Sequence, residues 1–341
     1  MATATDELVE QEFEVGAGSE LAVSCVSGRI RVRGEGTGRI AVRARKHGRE
    51  RAVENTRIEL EQEGNRVTAR VRSDAAGLLG SVTGGVAAVD FEITVPEDCA
   101  VHAKAVSADV SVHGARGALQ VESVSGDVDV ADAGGARITT VSGDVSGRGL
   151  SGAFALNTTS GSVELTDSRL SSFNCHTVSG DLTIETPLAA GEHYRAQTVS
   201  GDLTLLVPAG TGATVQLKSV SGDVHSELPA EIIKAGRRHW QGRINGGGAN
   251  VEMTTVSGDL ALRSSSTLEA ELTATPPVPP VPAVPPTPPT PPDMSTPEDR
   301  ASDRPAVEQS ARHGDTTAVL KDLEEGKISV EDALARLREL E

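Results

Sequence analysis

Seven aspartates recur in one setting, at the end of a Val-Ser-Gly-Asp phrase or a near variant of it: Asp109, Asp127, Asp144, Asp181, Asp202, Asp223 and Asp259. A carboxylate repeated at one position of a phrase can do two kinds of chemistry. A column of oxygen ligands suits a hard divalent cation such as Ca2+. Alternatively, a short acidic side chain beside a glycine accepts hydrogen bonds from nearby backbone amides and holds a turn. Two unit charges about 5 Å apart in water repel by only ~1 kcal/mol, so such a column is tolerable. The phrase departs from its pattern at Arg29 and Ser162, and the Gly-Gly-x-Gly-x-Asp nonapeptide of calcium-binding β-rolls is absent.

The chain's other chemistry-bearing residues do not gather. Eight histidines fall at unrelated places in the repeat, without the spacing of a helical zinc motif, so no catalytic residue, metal site or cofactor is expected. A carbohydrate-cleaving β-helix would cluster acids and bases at one spot, whereas these carboxylates are spread evenly, as in a scaffold. The one local charge anomaly is basic. Between Arg29 and Arg57 ten Lys or Arg stand against three Glu, and Arg29, Arg31 and Arg33 alternate with Ile30 and Val32, with Arg43 and Arg45 following on the next alternating run. Such a face either receives an anionic partner, nucleic acid or lipid headgroups among them, or is a solvated strand face offsetting an acidic remainder. The net charge of −17 argues against nucleic acid, and no aromatic residues interleave for base stacking.

What positions these residues is a repeat. Counted on its third residue, the phrase stands at Gly28, Ala108, Gly126, Gly143, Gly161, Gly180, Gly201, Gly222 and Gly258, and from Ala108 the steps are 18, 17, 18, 19, 21, 21 and 36 residues. Upstream of each phrase apolar residues alternate with polar ones (Leu119, Val121, Ser123; Phe173, Cys175, Thr177), and the alternation resumes downstream (Val128, Val130; Leu182, Ile184). That is a period-two strand with one buried face on either side of a phase break. A glycine at the break suits a corner. One such coil buries almost nothing, but coils stacked about 4.8 Å apart share a continuous aliphatic core. The expected fold is an all-β solenoid, a right-handed single-stranded β-helix, followed by a Pro-rich linker and a short α-helical hairpin. The last step of 36 residues reads as two periods with one phrase missing.

The domain expectation is residues 1–12 disordered, 13–270 solenoid with 13–98 as irregular first coils and a cap, 271–314 linker and 315–341 hairpin. An open solenoid end exposes unpaired strand edges, so a cap is required. The longest excursion, between Gly222 and Gly258, holds the single Trp240 and a basic run at Arg237 and Arg238, and reads as a binding loop or a flap over the last coils. Cys25, Cys99 and Cys175 are too few and scattered for a disulfide framework and read as buried free thiols. The first residues lack a basic start followed by an apolar run, and no stretch reaches the length of a membrane helix, so a cytoplasmic protein is expected.

The recurring Val-Ser-Gly-Asp-Val/Leu phrase, the Ile93-Thr94-Val95-Pro96 lead-in and the closing Gly247-Gly248-Ala249-Asn250-Val251 before Thr255-Val256-Ser257-Gly258-Asp259-Leu260 together resemble a bacterial adhesin-like β-helical domain of unknown function over about residues 13–263. The resemblance implies the fold and supplies no catalytic residue; some relatives sit beside cell-envelope stress genes. Beyond the solenoid, residues 276–292 hold eleven prolines, a semi-rigid spacer of roughly 50 Å at ~3.1 Å per residue. Two short helical patterns follow, carrying Leu320, Leu323, Ile328, Leu334, Leu337 and Leu340, and the run from Gly326 to Ala333 resembles a SHOCT-like hairpin. Helices of about ten residues cannot bury a sufficient core alone, so this face is expected to self-associate or dock on a protein partner. The expected function is a non-enzymatic scaffold or interaction protein, envelope- or stress-related by resemblance. The alternatives are a cation- or polyanion-binding surface using the Asp column or the Arg29–Arg57 patch, and a carbohydrate-active enzyme.

Overall fold

The computed structural model describes residues 4–36, 38–73 and 86–265, and the C-terminal linker and hairpin with their leucine face lie outside the described residues. Strand is nearly the only element. The N-terminal part contains β1 (Ala4–Glu14), β2 (Glu20–Gly34), β3 (Arg39–Arg49), the single-turn α1 (Glu50–Glu54), β4 (Thr56–Glu63), β5 (Arg66–Ser73), β6 (Ala88–Val95) and β7 (Ala100–His113). Regular coils follow as pairs: β8 and β9 (Leu119–Ser125, Val128–Ala131), β10 and β11 (Ala136–Ser142, Val145–Arg148), β12 and β13 (Ser151–Ser160, Val163–Thr166), β14 and β15 (Arg169–Ser179, Leu182–Glu185), β16 and β17 (His193–Ser200, Leu203–Val207). The last strands are β18 and β19 (Ala213–Ser221, Val224–Ser226), β20 and β21 (Ala230–Gly236, His239–Ile244), and β22 and β23 (Ala249–Ser257, Leu260–Ser264).

The coils stack in parallel with identical residues in register, Ser125 on Ser142, Ser142 on Ser160, Ser160 on Ser179 and Ser179 on Ser200. Each has a first arm before the corner and a second arm after it. Inward residues of both arms, from Leu21 and Ile30 through Phe154 and Leu165 to Val251 and Leu260, form one core that extends along the stack. The solenoid is therefore as the periodicity requires.

The corner glycines show why eight of the nine phrases keep glycine there. Gly143 has φ +125, and a Cβ placed on it would lie 2.2 Å from the carbonyl oxygen of Gly126 in the coil beneath. Both the backbone angle and the close stacking demand glycine. Ala108 takes this position without a positive φ, and β7 runs unbroken through the corner, as β2 does through Gly28.

Three features depart from the expectation. First, residues 4–12 lie in a strand: β1 pairs antiparallel with β3, with Glu10 and Glu12 reaching Arg43 and Arg39, while residues 1–3 lie outside the described residues. Acidic and basic side chains on adjoining strands hold this edge. Second, the 36-residue step contains no missing coil. After β19 the chain turns into the hairpin β20–β21, and β21 lies antiparallel on β18. Third, the coil order is not the sequence order, because β22 and β23 insert between β16–β17 and β18–β19. Phrases that match each other cannot encode which neighbour each one stacks upon.

At the other end β2 is the last full coil. Its first arm pairs with β5, itself paired to β4, and its second arm pairs with β6, followed by β3 and β1. The two arms thus receive separate two- and three-strand extensions, which form the cap that an open end requires.

Candidate functional site

The corner brings the seven aspartates into one outward column, and the column is hydrogen-bonded along its length. The backbone N–H of Asp127 donates to Asp109 Oδ1 (3.2 Å), Asp144 to Asp127 (3.0 Å) and Ser162 to Asp144 (2.8 Å). Past the Ser162 interruption the pattern resumes: Asp202 N–H donates to Asp181 (2.9 Å), Asp259 to Asp202 (2.7 Å) and Asp223 to Asp259 (2.8 Å). Six of the seven carboxylates accept the amide of the next coil, and Asp223, at the end of the column, instead meets Arg237 at 3.6 Å. Among the described residues no three His, Cys, Asp or Glu side chains gather in a way that could hold a metal ion.

Immediately inside the corner is a column that sequence reading registered only as part of the alternation. Ser123, Thr140, Thr158, Thr177 and Thr198 are buried, and each hydroxyl donates to the carbonyl two residues on, as Thr158 Oγ1 does to Ser160 O at 3.2 Å. Cys25 occupies the same place in the first coil, with its thiol directed at Ser27 O. Burial pushes that thiol up to about 11, and pushes Cys99 and Cys175 up as well. All three cysteines are free and buried, as the inward positions of Cys25 and Cys175 in the alternation implied for those two.

The valine that opens the phrase points the other way. Val106, Val124, Val141, Val178, Val199, Val256 and Val220 are all exposed, Val124 by 50% and Val220 by 61%. Nine coils carry the corner, and eight steps of about 4.8 Å make a surface roughly 38 Å long, aliphatic on one side and carboxylate on the other. The phase break at Val124 was the signal that could have found this column.

A second surface lies on the outer side of the first arms. A groove of about 1040 Å3 crosses the stack, floored by Gly135, Ala153 and Ala155 and flanked by Arg137 and Asn174. Arg195 is held at its edge by Glu252 through Nη2 at 2.8 Å. Under the groove, Tyr194 packs edge-on against Phe173 with ring centroids 5.3 Å apart and donates its hydroxyl to Leu170 O.

Arg29, Arg31, Arg33, Arg43 and Arg45 of the basic segment spread along β2 and β3, and the strands folded beside them carry acidic residues. Arg31 meets Glu92 at 3.5 Å and Arg43 meets Glu10 at 3.2 Å. Arg29 pairs across strands with Asp90 and Asp109, Arg45 with Leu8 and Asp90, and Arg33 with Thr94 and His113. The segment that is basic in sequence is therefore interleaved with carboxylates in space.

A family model described as Toastrack DUF4097 matches residues 19–263. No curated protein matches the chain. Among solved structures, the chain is similar to a "putative adhesin" of Bacteroides fragilis at 13% identity, covering 76% of this chain and 97% of that one with a TM-score of 0.44. It is also similar to a "putative cell adhesion protein" of Clostridium sporogenes at 12% identity, covering 77% and 100% with a TM-score of 0.28. A "putative lipid binding protein" of Parabacteroides distasonis is 10% identical, with 75% and 96% covered and a TM-score of 0.36.

Proposed function

The chain belongs to the Toastrack DUF4097 family, and from that membership and the geometry of its corners we propose that it is a non-enzymatic interaction scaffold. The observation that carries this reading is how the repeated polar groups are used. The Asp carboxylates accept the amides of neighbouring coils, and the buried Ser and Thr hydroxyls mostly bind their own corner carbonyls. Side chains that a catalyst would direct at a substrate are here committed to the stack. What the coils offer to solvent is a rigid repeated surface, and rigid aliphatic and polar columns suit recognition of a protein better than turnover.

The proposal includes the parts that only the sequence supports. The Pro-rich segment 271–314 spaces the solenoid from a SHOCT-like hairpin at 315–341, whose Leu320, Leu323, Ile328, Leu334, Leu337 and Leu340 bind a protein partner or a second hairpin. The setting is the cytoplasm, in an envelope- or stress-related assembly. Three free, buried thiols are compatible with a reducing compartment. No helix among the described residues is long and apolar enough to cross a membrane.

The test is a crosslinking pull-down with the full chain beside a chain ending at Thr275, each followed by mass measurement in solution. The reading expects one specific partner, or an oligomer, that is lost or reduced on truncation. Equal masses and equal sets of captured proteins would sink the assigned role of the hairpin. Catalytic turnover of a small substrate by the purified solenoid would sink the scaffold itself.

A further inference from the structure

The two ends of the first-arm sheet differ in a way that fits one against the other. At the C-terminal end its outermost strand is β20, paired on one side to β21 and, among the described residues, to no strand on the other. Ile232 and Ile233 of β20 are 59% and 54% exposed, beside an irregularity in the pairing with β21. At the N-terminal end the outermost strand is β4, paired among the described residues to β5 alone. Its Ile58 and Leu60 are only partly buried against the core. Each end thus offers unpaired backbone groups with aliphatic side chains beside them, the setting in which strand edges recruit another strand.

Charge separates the ends. The hairpin β20–β21 carries Lys234, Arg237, Arg238 and Arg243 against Glu231, whereas the edge strand β4 itself carries Glu59, Glu61 and Glu63 against Arg57, with Arg66, Arg70 and Arg72 behind it on β5. Arg237 reaches Asp223 only at 3.6 Å and Arg243 reaches Glu231 at 4.0 Å, while Lys234 and Arg238 have no carboxylate partner among the described residues. On β4, Glu59 is held by Arg72 at 2.8 Å, and Glu61 and Glu63 are exposed.

Strand direction agrees. β20 runs antiparallel to β21, which is antiparallel to β18, so β20 runs with the coils. β4 runs antiparallel to β5, which is parallel to β2, so β4 runs against them. Two copies stacked tail to head with their first-arm sheets continuous would therefore bring β20 and β4 together as an antiparallel pair, of seven and eight residues.

We propose that this chain associates end to end, β20 of one copy pairing antiparallel with β4 of the next, the cationic hairpin against the anionic strand. The contact is heterologous and does not close on itself, so it generates open chains rather than a symmetric dimer. A pairing of β20 with β20 would set like charges against each other. The inference is independent of binding through the lateral surface or the C-terminal hairpin, since a chain that stays monomeric at its ends keeps both.

The experiment is sedimentation velocity on the full chain over a concentration series at low and high salt, with circular-dichroism melts to verify that each variant is folded. Three variants are compared with the parent: Lys234→Glu with Arg238→Glu, Glu61→Lys with Glu63→Lys, and all four together. Expected are species beyond the dimer that diminish with salt, association weakened about tenfold or more by either pair alone, and recovery when both ends are reversed in one chain. Association through residues 315–341 would be indifferent to these charges. A monomer at all concentrations, a discrete dimer and nothing larger, an unchanged profile in the two-site variants, or no recovery in the four-site variant would each overturn the proposal.

Discussion

At the scale of single residues, the corner divides its work among neighbours: a buried hydroxyl, an exposed valine, a glycine at positive φ in all but one coil and an aspartate that binds the next coil. Asp202 shows how much the last of these contributes. Replacing it with alanine removes the acceptor of the Asp259 amide (2.7 Å), and because the site is exposed, water partly substitutes, so the expected loss is about 1 kcal/mol. Asp202→Asn retains an acceptor oxygen and should lose less. Chemical denaturation of the two variants, with and without Ca2+, separates the readings: a stabilisation by Ca2+ in the parent that both variants lose would show a cation column instead. Cys25 supplies a second prediction. Burial raises its thiol from 9.0 to about 11, so the fold disfavours the thiolate. Its contribution is complete below pH 9 and is lost as pH rises through 11. Cys25→Thr should therefore flatten part of the fall in stability between pH 9 and 11, while preserving the bond to Ser27 O that Thr makes at the other corners. A denaturation midpoint that falls equally steeply in both proteins would refute it. These residue roles were half legible in the sequence. The Asp and Gly follow from the phrase, and the inward Thr from the alternation. The outward valine was signalled by the phase break at Val124, but a valine is normally counted toward the core, so the break reads as a corner before it reads as a side chain turned out.

At the scale of elements, the coils were legible and their order was not. Alternation on both sides of the phrase determines strand, corner and strand, and the core residues follow from it. The insertion of β22–β23 between β16–β17 and β18–β19 depends on contacts between distant segments whose local patterns are interchangeable. The hairpin β20–β21 was visible as an excursion with the lone tryptophan, and a flap over the last coils is what it forms. Trp240 is 8% exposed and lies in register with Leu217 of β18. Gly242 leaves room for the indole, since a Cβ there would lie 2.6 Å from the ring. His239 is pushed below its ordinary range, by burial first and then by Lys234 and Lys218. Trp240→Ala should cost about 3 kcal/mol or more of local stability, most of it at this end. Limited proteolysis should then cut near Arg237 and Arg238 well before the parent is cut, with β10 to β15 still protected. Simultaneous digestion of the whole solenoid would show that the flap is not a separate unit.

At the scale of the whole solenoid, stability is a sum over coils and the contacts between neighbours, and this makes the ends weaker than the middle. A coil such as β12–β13 is hydrogen-bonded on both sides and its Phe154 and Leu165 are covered from both directions. Among the described residues β4 and β20 have one neighbour each, and their aliphatic side chains are partly or mostly exposed. The continuous core contains few aromatics and no disulfide, so resistance to opening must come from the number of stacked coils above and below each amide. Hydrogen exchange of the full chain at low micromolar concentration should then give a graded profile, slowest from β10 through β17 and fastest in β20 and β4, with β1 intermediate because Lys46, buried and bound to Glu7 at 3.0 Å, pins it to β3. Raising the concentration distinguishes fraying from association: if the ends meet, β20 and β4 slow together while β1 and the exposed valine column do not change. Uniform protection along the stack at low concentration would mean that the solenoid opens as one cooperative body, contradicting the additive picture from which the weak ends are inferred.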